Sequence, residues 1–388
     1  MQIKETFEKL TNIQKVLVTL ILVIMFYGLS ASVSFAIFSK VFRMGGELVS
    51  SLPGPATAVD EEENEPKTEK CPLDGSMHTK KAKLSWEKRR PLAVMVENHS
   101  EAKPQSGLSS ANVVYEAVAE GGITRFAAIF YCNLSDIQVG PVRSARTYFL
   151  DWISEYDPLY AHVGGANTPG PADALSQIIK FKIKSLNQFG IGFPTYWRDY
   201  QRLGHPVATE HTMYSTTQKL WEVGAKRGWE AEDDGVSWSK DFTPWKFKED
   251  QGGGSTTNIK VNFWASQESY FVEWNYDAIA NTYNRKNGGV DHTDLNNKKQ
   301  LSPKNIVVQF ERESNANDGY EGNVHLLYGT LGKGKVLVFQ DGKVSEGTWN
   351  KALRTSRTKY LDKDNKEVEF NKGQIWIQTV PEGAKVEY

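Results

Sequence analysis

Residues 91–132 read PLAVMVENHSEAKPQSGLSSANVVYEAVAEGGITRFAAIFYC. Three apolar runs stand out in this stretch, PLAVMVEN, NVVYEAVAE and TRFAAIFYC, with turn-forming Ser, Gly and Asn between them. Short β-branched and aromatic runs punctuated in this way predict three strands, the last two joined across Gly121-Gly122. The pattern then turns helical. TYFLDWISEY from Thr147 and PADALSQIIK from Pro171 carry apolar residues at three- and four-residue spacing, and TTQKLWEVGAKRG closes at Gly228 as a C-cap does. Strands followed by helices over 85–230 predict an α/β (α+β) domain.

Beyond it, residues 231–257 mix acidic side chains with Pro244 and the run Gly252, Gly253, Gly254, Ser255, which reads as an interdomain linker. Residues 258–388 then hold NIKVNFW, YFVEWNY, NIVVQF, NVHLLYG, GKVLVFQDGKV and GQIWIQTV, with Asp341-Gly342 in a hairpin position. This half is expected to be a mostly β domain.

Toward the N-terminus, residues 16–39 contain no charged side chain, and 24 residues of helix span about 36 Å, enough to cross a bilayer. A cleaved signal peptide is the competing reading, since Ser34 and Ala36 are small. Apolar character continues through Ile37 and Phe38, which favours a transmembrane helix. Lys4, Lys9 and Lys15 before the run place residues 1–15 in the cytoplasm. Residues 40–84, with Asp60, Glu61, Glu62, Glu63, Glu65 and Glu69, read as an acidic flexible linker.

The 388 residues carry 46 Lys plus Arg against 47 Asp plus Glu, so no overall field draws the chain to nucleic acid, and none is expected as a partner. Cys71 and Cys132 are too few for a disulfide scaffold or a cysteine zinc site. One bridge and two unpaired thiols are the open alternatives. With no HExxH pair, no Gly-x-Ser-x-Gly elbow and no phosphate loop, neither a metal nor another cofactor is expected.

The run RRPLAVMVENHSEAKPQSGLSSANVVYEAVAEGGITRFAAIFY, continuing into VGPVRSARTYFLDWISEYDPLYAHVGG, closely resembles the YerB-like family of bacterial envelope proteins, whose N-terminal domain has no established function. The C-terminal half resembles the family's second domain in YDAIANTYNR with His292 behind it, in a Gly347-Thr348-Trp349 turn with Arg354 after it, and in GQIWIQTVP. The resemblance implies two domains on the outer face of the cytoplasmic membrane, often held by a lipid, and brings no reaction with it. Here a transmembrane helix stands in place of the acylated cysteine.

Several side chains are candidates for chemistry. Arg143 and Arg146 in GPVRSAR precede a predicted helix start, where two guanidiniums and free backbone N–H groups suit a phosphate or carboxylate; the alternative is pairing with carboxylates to lock the fold. Glu116 and Glu120 lie four apart on a predicted strand and hence on one face, with Arg125 after the turn. Such a pair suits acid and base roles on a glycan, or a structural network with the arginines. His162 precedes two glycines at a predicted strand end, as a ligand contact or a buried hydrogen-bonded ring. Asp173 is placed to favour the helix dipole, with a site role as the alternative, and His211 and Tyr214 most economically fix entry to the next helix. Trp238, Trp245, Trp264, Trp274, Trp349 and Trp376 are mostly expected in the core, with one or two free to stack on sugars.

These readings lead to an envelope module that binds an anionic ligand, a wall glycan or phosphate-bearing polymer, through Arg143, Arg146, Arg125, Glu116, Glu120 and His162. The rivals are a hydrolase or transferase on envelope glycans using Glu116 or Glu120, with His162 as a further catalytic candidate, and a scaffold that binds an envelope protein.

Overall fold

The computed structural model describes Thr11, Ile13, Gln14, Met25 and residues 65–388 apart from 265 and 266. The opening strands are β1 (Leu92–Glu97), β2 (Val113–Glu120) and β3 (Ile123–Phe130). β2 and β3 form an antiparallel hairpin whose turn residues Gly121 and Gly122 both have positive φ, a conformation costly for any side chain with a Cβ. β1 pairs antiparallel with β3, and β4 (Leu159–His162) and β5 (Lys184–Asn187) extend the sheet in parallel from β1. Helices α1 (Lys80–Trp86), α2 (Thr147–Ile153), α3 (Ala174–Lys180) and α4 (Thr217–Lys226) complete this half.

The sheet does not stop at the end of that half. It continues through β6 (Asn305–Glu311), β7 (Gly332–Gln340), β8 (Lys343–Lys351), β9 (Lys359–Asp362) and β10 (Ile375–Pro381), in the order β9-β8-β7-β6-β10-β2-β3-β1-β4-β5. β10 runs parallel between β6 and β2, setting Ile375 beside Val113 and Gln378 beside Glu116. β6 is buried throughout and β10 everywhere but Pro381, as strands covered on both faces are. The two halves have the expected α+β and mostly β character, yet the described residues from 65 onward belong to one compact unit with one shared sheet.

Alternation along β2 sends neighbouring side chains to opposite layers. Tyr115 faces α2, where its ring stacks on Trp152. Glu116 faces a five-stranded sheet made by Val290–Asp291, Thr282–Asn287, Val272–Asp277, Asn258–Val261 and Val386–Glu387. That sheet packs through Trp274, whose ring meets Trp376 at 5.4 Å and whose indole N–H donates to Gln378 Oε1. The hairpin expected at Asp341-Gly342 joins β7 to β8 with both residues at positive φ. Gly347-Thr348-Trp349, by contrast, lies inside β8 rather than in a turn; a Cβ on Gly347 would stand 1.8 Å from the Leu361 carbonyl oxygen.

Both segments read as linkers contain packed structure. In 231–257, Trp238 and Trp245 are buried, the Trp245 indole donates to the Thr358 carbonyl, and Lys246–Lys248 pairs in parallel with Glu369–Asn371. In 40–84, Glu69–Lys70 pairs with Met77–His78, Cys71 and Leu73 are fully buried, and α1 follows. The charged, Gly-rich composition concealed a few apolar anchors. Cys71 and Cys132 form a disulfide that ties this first segment to the end of β3. The candidate membrane segment 16–39 lies, but for Met25, outside the described residues, among which no helix is long and apolar enough to cross a membrane.

Candidate functional site

Glu116 is fully buried and its oxygens are filled. Oε1 accepts from Arg285 Nη2 at 2.7 Å and Thr124 Oγ1 at 3.0 Å; Oε2 accepts from Trp376 Nε1 and Gln378 Nε2, both at 3.0 Å. The Arg285 guanidinium packs against both the Trp274 and Trp376 rings, 4.9 and 4.8 Å from their centroids, and its Nε donates to His292 Nδ1. Burial holds the His292 ring well below its usual range, in the neutral form this acceptor role needs. Contrary to expectation, Glu116 therefore contacts neither Arg143 nor Arg146 and has no face open to a substrate; its partner comes from the other half of the chain.

Glu120 does not share Glu116's face. The pairing register shifts between Val118 and Glu120, an irregularity that turns the strand and breaks the even-spacing rule. Glu120 instead forms ion pairs with Arg146 and, at 3.8 Å, Arg125. Arg125 stands opposite Ala117 on β2 and opposite Glu97 on β1, which sets Arg125 and Glu97 on the sheet face away from Glu116.

Arg143 is brought to the same place by its backbone. Its N–H donates to the Met95 carbonyl, the Glu97 N–H donates to the Pro141 carbonyl, and Val142 binds Met213, so residues 140–146 are threaded between β1 and the short strand Met213–Thr216. Arg143 Nε lies 3.0 Å from Glu97 Oε1, while Glu97 Oε2 lies 2.8 Å from His211 Nδ1. Arg125 thus links two pairs: it stands opposite Glu97, a residue the sequence reading passed over and the partner of Arg143, and it pairs with Glu120, the partner of Arg146. Arg146 is the N-cap of α2, but that helix has seven residues, its first turn is buried, and Arg146 turns to Glu120. The expected anion site on the helix start is not formed.

Desolvation draws the pKa values of Arg125, Arg143 and Arg146 down from the ordinary guanidinium range. Arg125 Nη1 donates to the Ser144 carbonyl and Arg146 Nη1 to that of Ala145. Behind them Arg146 Nε and the Tyr160 hydroxyl are buried without a hydrogen-bond partner among the described residues. Arg143 differs from its neighbours: its side chain is 26% exposed and no described residue pairs with its terminal nitrogens. Glu101 and Glu210 stand at the rim.

His162 does not join this cluster as a ligand group. It is fully buried, Nδ1 donates to the Gly164 carbonyl at 2.6 Å, Nε2 accepts from Ser185, and burial pushes its pKa down to about 4. Asp173 caps α3 by accepting from the Ser176 N–H. The role assigned to His211 falls to Thr216, whose hydroxyl caps α4, while His211 binds Glu97. Trp238, Trp245, Trp274, Trp349 and Trp376 are buried, and Trp264 is half-buried with its indole on Glu313, so no sugar-stacking platform forms from these six. His99, Glu101 and His211, unconnected in the sequence reading, converge beside Glu97. The two-residue spacing of His99 and Glu101 was visible, but their approach to His211 is a product of the fold.

Residues 76–230 match the family model described as the N-terminal domain of a protein of unknown function (DUF3048), and residues 259–377 match its C-terminal domain. The chain is 33% identical over 317 residues to a Bacillus subtilis (strain 168) protein named "Putative lipoprotein YerB", covering 81% of this chain and 86% of that one. It is also similar to the crystal structure of YerB from Bacillus subtilis, with a TM-score of 0.69 and 30% identity, over 82% of this chain and all of the other. With both domain models matched in order and a full-length relative at this identity, the chain belongs to the YerB-like family of two-domain proteins of unknown function.

Proposed function

We propose that the chain is an envelope protein held in the cytoplasmic membrane by residues 16–39, with residues 1–15 inside and residues 65–388 on the outer face, and that it binds an anionic envelope ligand. The ligand class is a wall glycan or phosphate-bearing polymer. The location is supported by the uncharged apolar run, by the lipoprotein name of the Bacillus subtilis relative, and by the Cys71–Cys132 disulfide, a bond that persists in an oxidising compartment.

The observation that carries the binding reading is Arg143. Its Nε forms an ion pair with Glu97 without a well-formed hydrogen bond, Arg125 lies nearby, and among the described residues its terminal nitrogens have no partner. A planar guanidinium held by one edge with the other free is suited to a phosphate or carboxylate. The glycan-hydrolase alternative finds less support, because Glu116 is sealed by four donors and Glu120 is engaged by two arginines. The scaffold alternative draws its support from the exposed Ile179, Phe189 and Phe193 of the α+β half.

Co-sedimentation of the detergent-solubilised full chain with purified wall glycan, across a salt series and with product analysis, tests the reading. Salt-sensitive binding that falls at least about tenfold in Arg143→Ala, without new glycan products, is the expected result. Absence of binding by the parent chain defeats the proposal and favours the scaffold.

A further inference from the structure

Between the end of α2, the turn after α3 and the loop that follows β8 lies a cavity of about 240 Å³, built by both halves of the chain. That is room for about eight waters, or for one small substituted ring. Ile153, Phe181, Trp238 and Phe242 form its apolar wall, with the Trp238 and Phe242 ring centroids 5.1 Å apart, and Arg354 reaches it from the C-terminal half. Arg354 belongs to the C-terminal motifs that carry the family resemblance, and the anion reading at Arg143 gives it no part.

The guanidinium is held in place but not neutralised. Nη1 donates to Ser154 Oγ at 2.6 Å, Ser154 in turn donates to the Leu150 carbonyl, and the guanidinium carbon lies 4.3 Å from the Phe181 ring centroid. A hydroxyl at one nitrogen and a ring on one side fix the plane of the fork. Its Nε and Nη2 have no hydrogen-bond partner among the described residues, and no described carboxylate lies within ion-pair distance. The acids nearby are committed elsewhere. Glu155 pairs with Lys351 and accepts from Tyr115 and the Thr358 N–H, Asp157 pairs with Arg90 and Lys184, and Asp151 accepts from Thr330 while burial raises its pKa. Among the charged side chains of the cavity this leaves the exposed Asp241 against Arg354, Lys182 and Lys240. A half-buried guanidinium without a carboxylate, beside aromatic walls, suits a ligand with an anionic head and an apolar body.

We propose that this cavity binds a small organic carboxylate, its ring or short chain against Phe181, Trp238 and Phe242 and its two oxygens on the open edge of Arg354. Two adjacent donors of a planar fork match the two oxygens of one carboxylate. The wall and the arginine come from different halves, so the ligand bridges them and its binding stabilises the fold. This site stands apart from the anion reading: Asp157 on the cavity wall is bound by Arg90, just before β1, whereas Arg143 stands by Glu97 at the far end of that strand.

The test is isothermal titration of the full chain in mild detergent with hydrocinnamate, beside hydrocinnamyl alcohol as the uncharged analogue, each against a detergent blank. One acid per chain is expected, bound at least about tenfold more tightly than the alcohol and raising the thermal unfolding temperature. Arg354→Gln, with unchanged circular dichroism, should weaken the acid by about 10- to 100-fold, the loss of a charge-assisted pair, and leave the alcohol as it was. Arg143→Ala should leave both unchanged. No binding of the acid by the parent chain, or equal affinity for acid and alcohol, overturns the proposal without recourse to any variant. A folded Arg354→Gln that keeps the parental preference for the acid, or a folded Arg143→Ala that loses it, overturns it as well.

Discussion

Two carboxylate–arginine pairs lie on opposite faces of the same sheet, and they differ in how completely they are enclosed. Glu116 and Arg285 are fully buried, capped by two indoles, and contributed by the two halves of the chain. Glu97 and Arg143 lie at one end of β1, within the α+β half, with the arginine side chain partly exposed and its terminal nitrogens without a partner among the described residues. The first pair has every carboxylate lone-pair direction occupied and no room for a ligand, so its work is to join the halves. The second keeps hydrogen-bonding capacity in reserve, which a ligand site requires. The same residue types thus serve assembly on one face and are poised for recognition on the other.

The largest effect should come from breaking the sealed pair. Arg285→Met alone leaves Glu116 buried without its cation and is expected to cost about 3–5 kcal/mol in urea unfolding, whereas Glu116→Gln with Arg285→Met should recover a large part of that loss. If the single variant unfolds like the parent, the pair is not what holds the halves together. Next comes the disulfide: replacing Cys71 and Cys132 together by Ser should lower stability by about 2–4 kcal/mol, read in the same assay.

A third change concerns Glu311 on β6, buried beneath Trp152 and Gln309. Burial raises its pKa to about 8, and its Oε2 has no partner among the described residues, consistent with a protonated carboxyl. Between the ordinary carboxylate range and about pH 8 the folded state keeps a proton that the unfolded state has released. The stabilisation is therefore complete at low pH and is lost as pH rises through that window. Glu311→Gln should remove this slope from thermal unfolding followed against pH; a variant with the parental slope places the titration elsewhere. Arg143→Ala should have the smallest effect on folding, about 1–2 kcal/mol by chemical denaturation, because the buried Glu97 keeps His211 as a partner when the partly exposed arginine is removed.

Much of this arrangement was legible in the residues. The runs PLAVMVEN, NVVYEAVAE and TRFAAIFYC are strands because alternating apolar runs bounded by Gly and Asn have few other ways to bury themselves. The joining of the halves was not legible, since parallel pairing of β10 with β2 sets Ile375 beside Val113 with no local signal of it. The C-terminal motifs that carry the family resemblance turn out to mark that junction. YDAIANTYNR ends on Arg285, GQIWIQTVP is β10 with its approach, and Arg354 donates to Ser154 Oγ across the halves. At the candidate site, Arg125, Arg143 and Arg146 could be singled out by charge and position. Glu120 was assigned the wrong face because a register shift interrupts the strand's period, and Glu97 drew no notice because a single carboxylate at a strand end has no distinguishing pattern.

The contrast between the two faces is tested most directly by measuring wall-glycan binding of Arg143→Ala beside the Glu116→Gln/Arg285→Met double variant, each first shown to be folded. Binding that is lost in the first and kept in the second is the expected result. Parental binding by Arg143→Ala, or loss only in the folded double variant, contradicts the assignment of recognition to the open face.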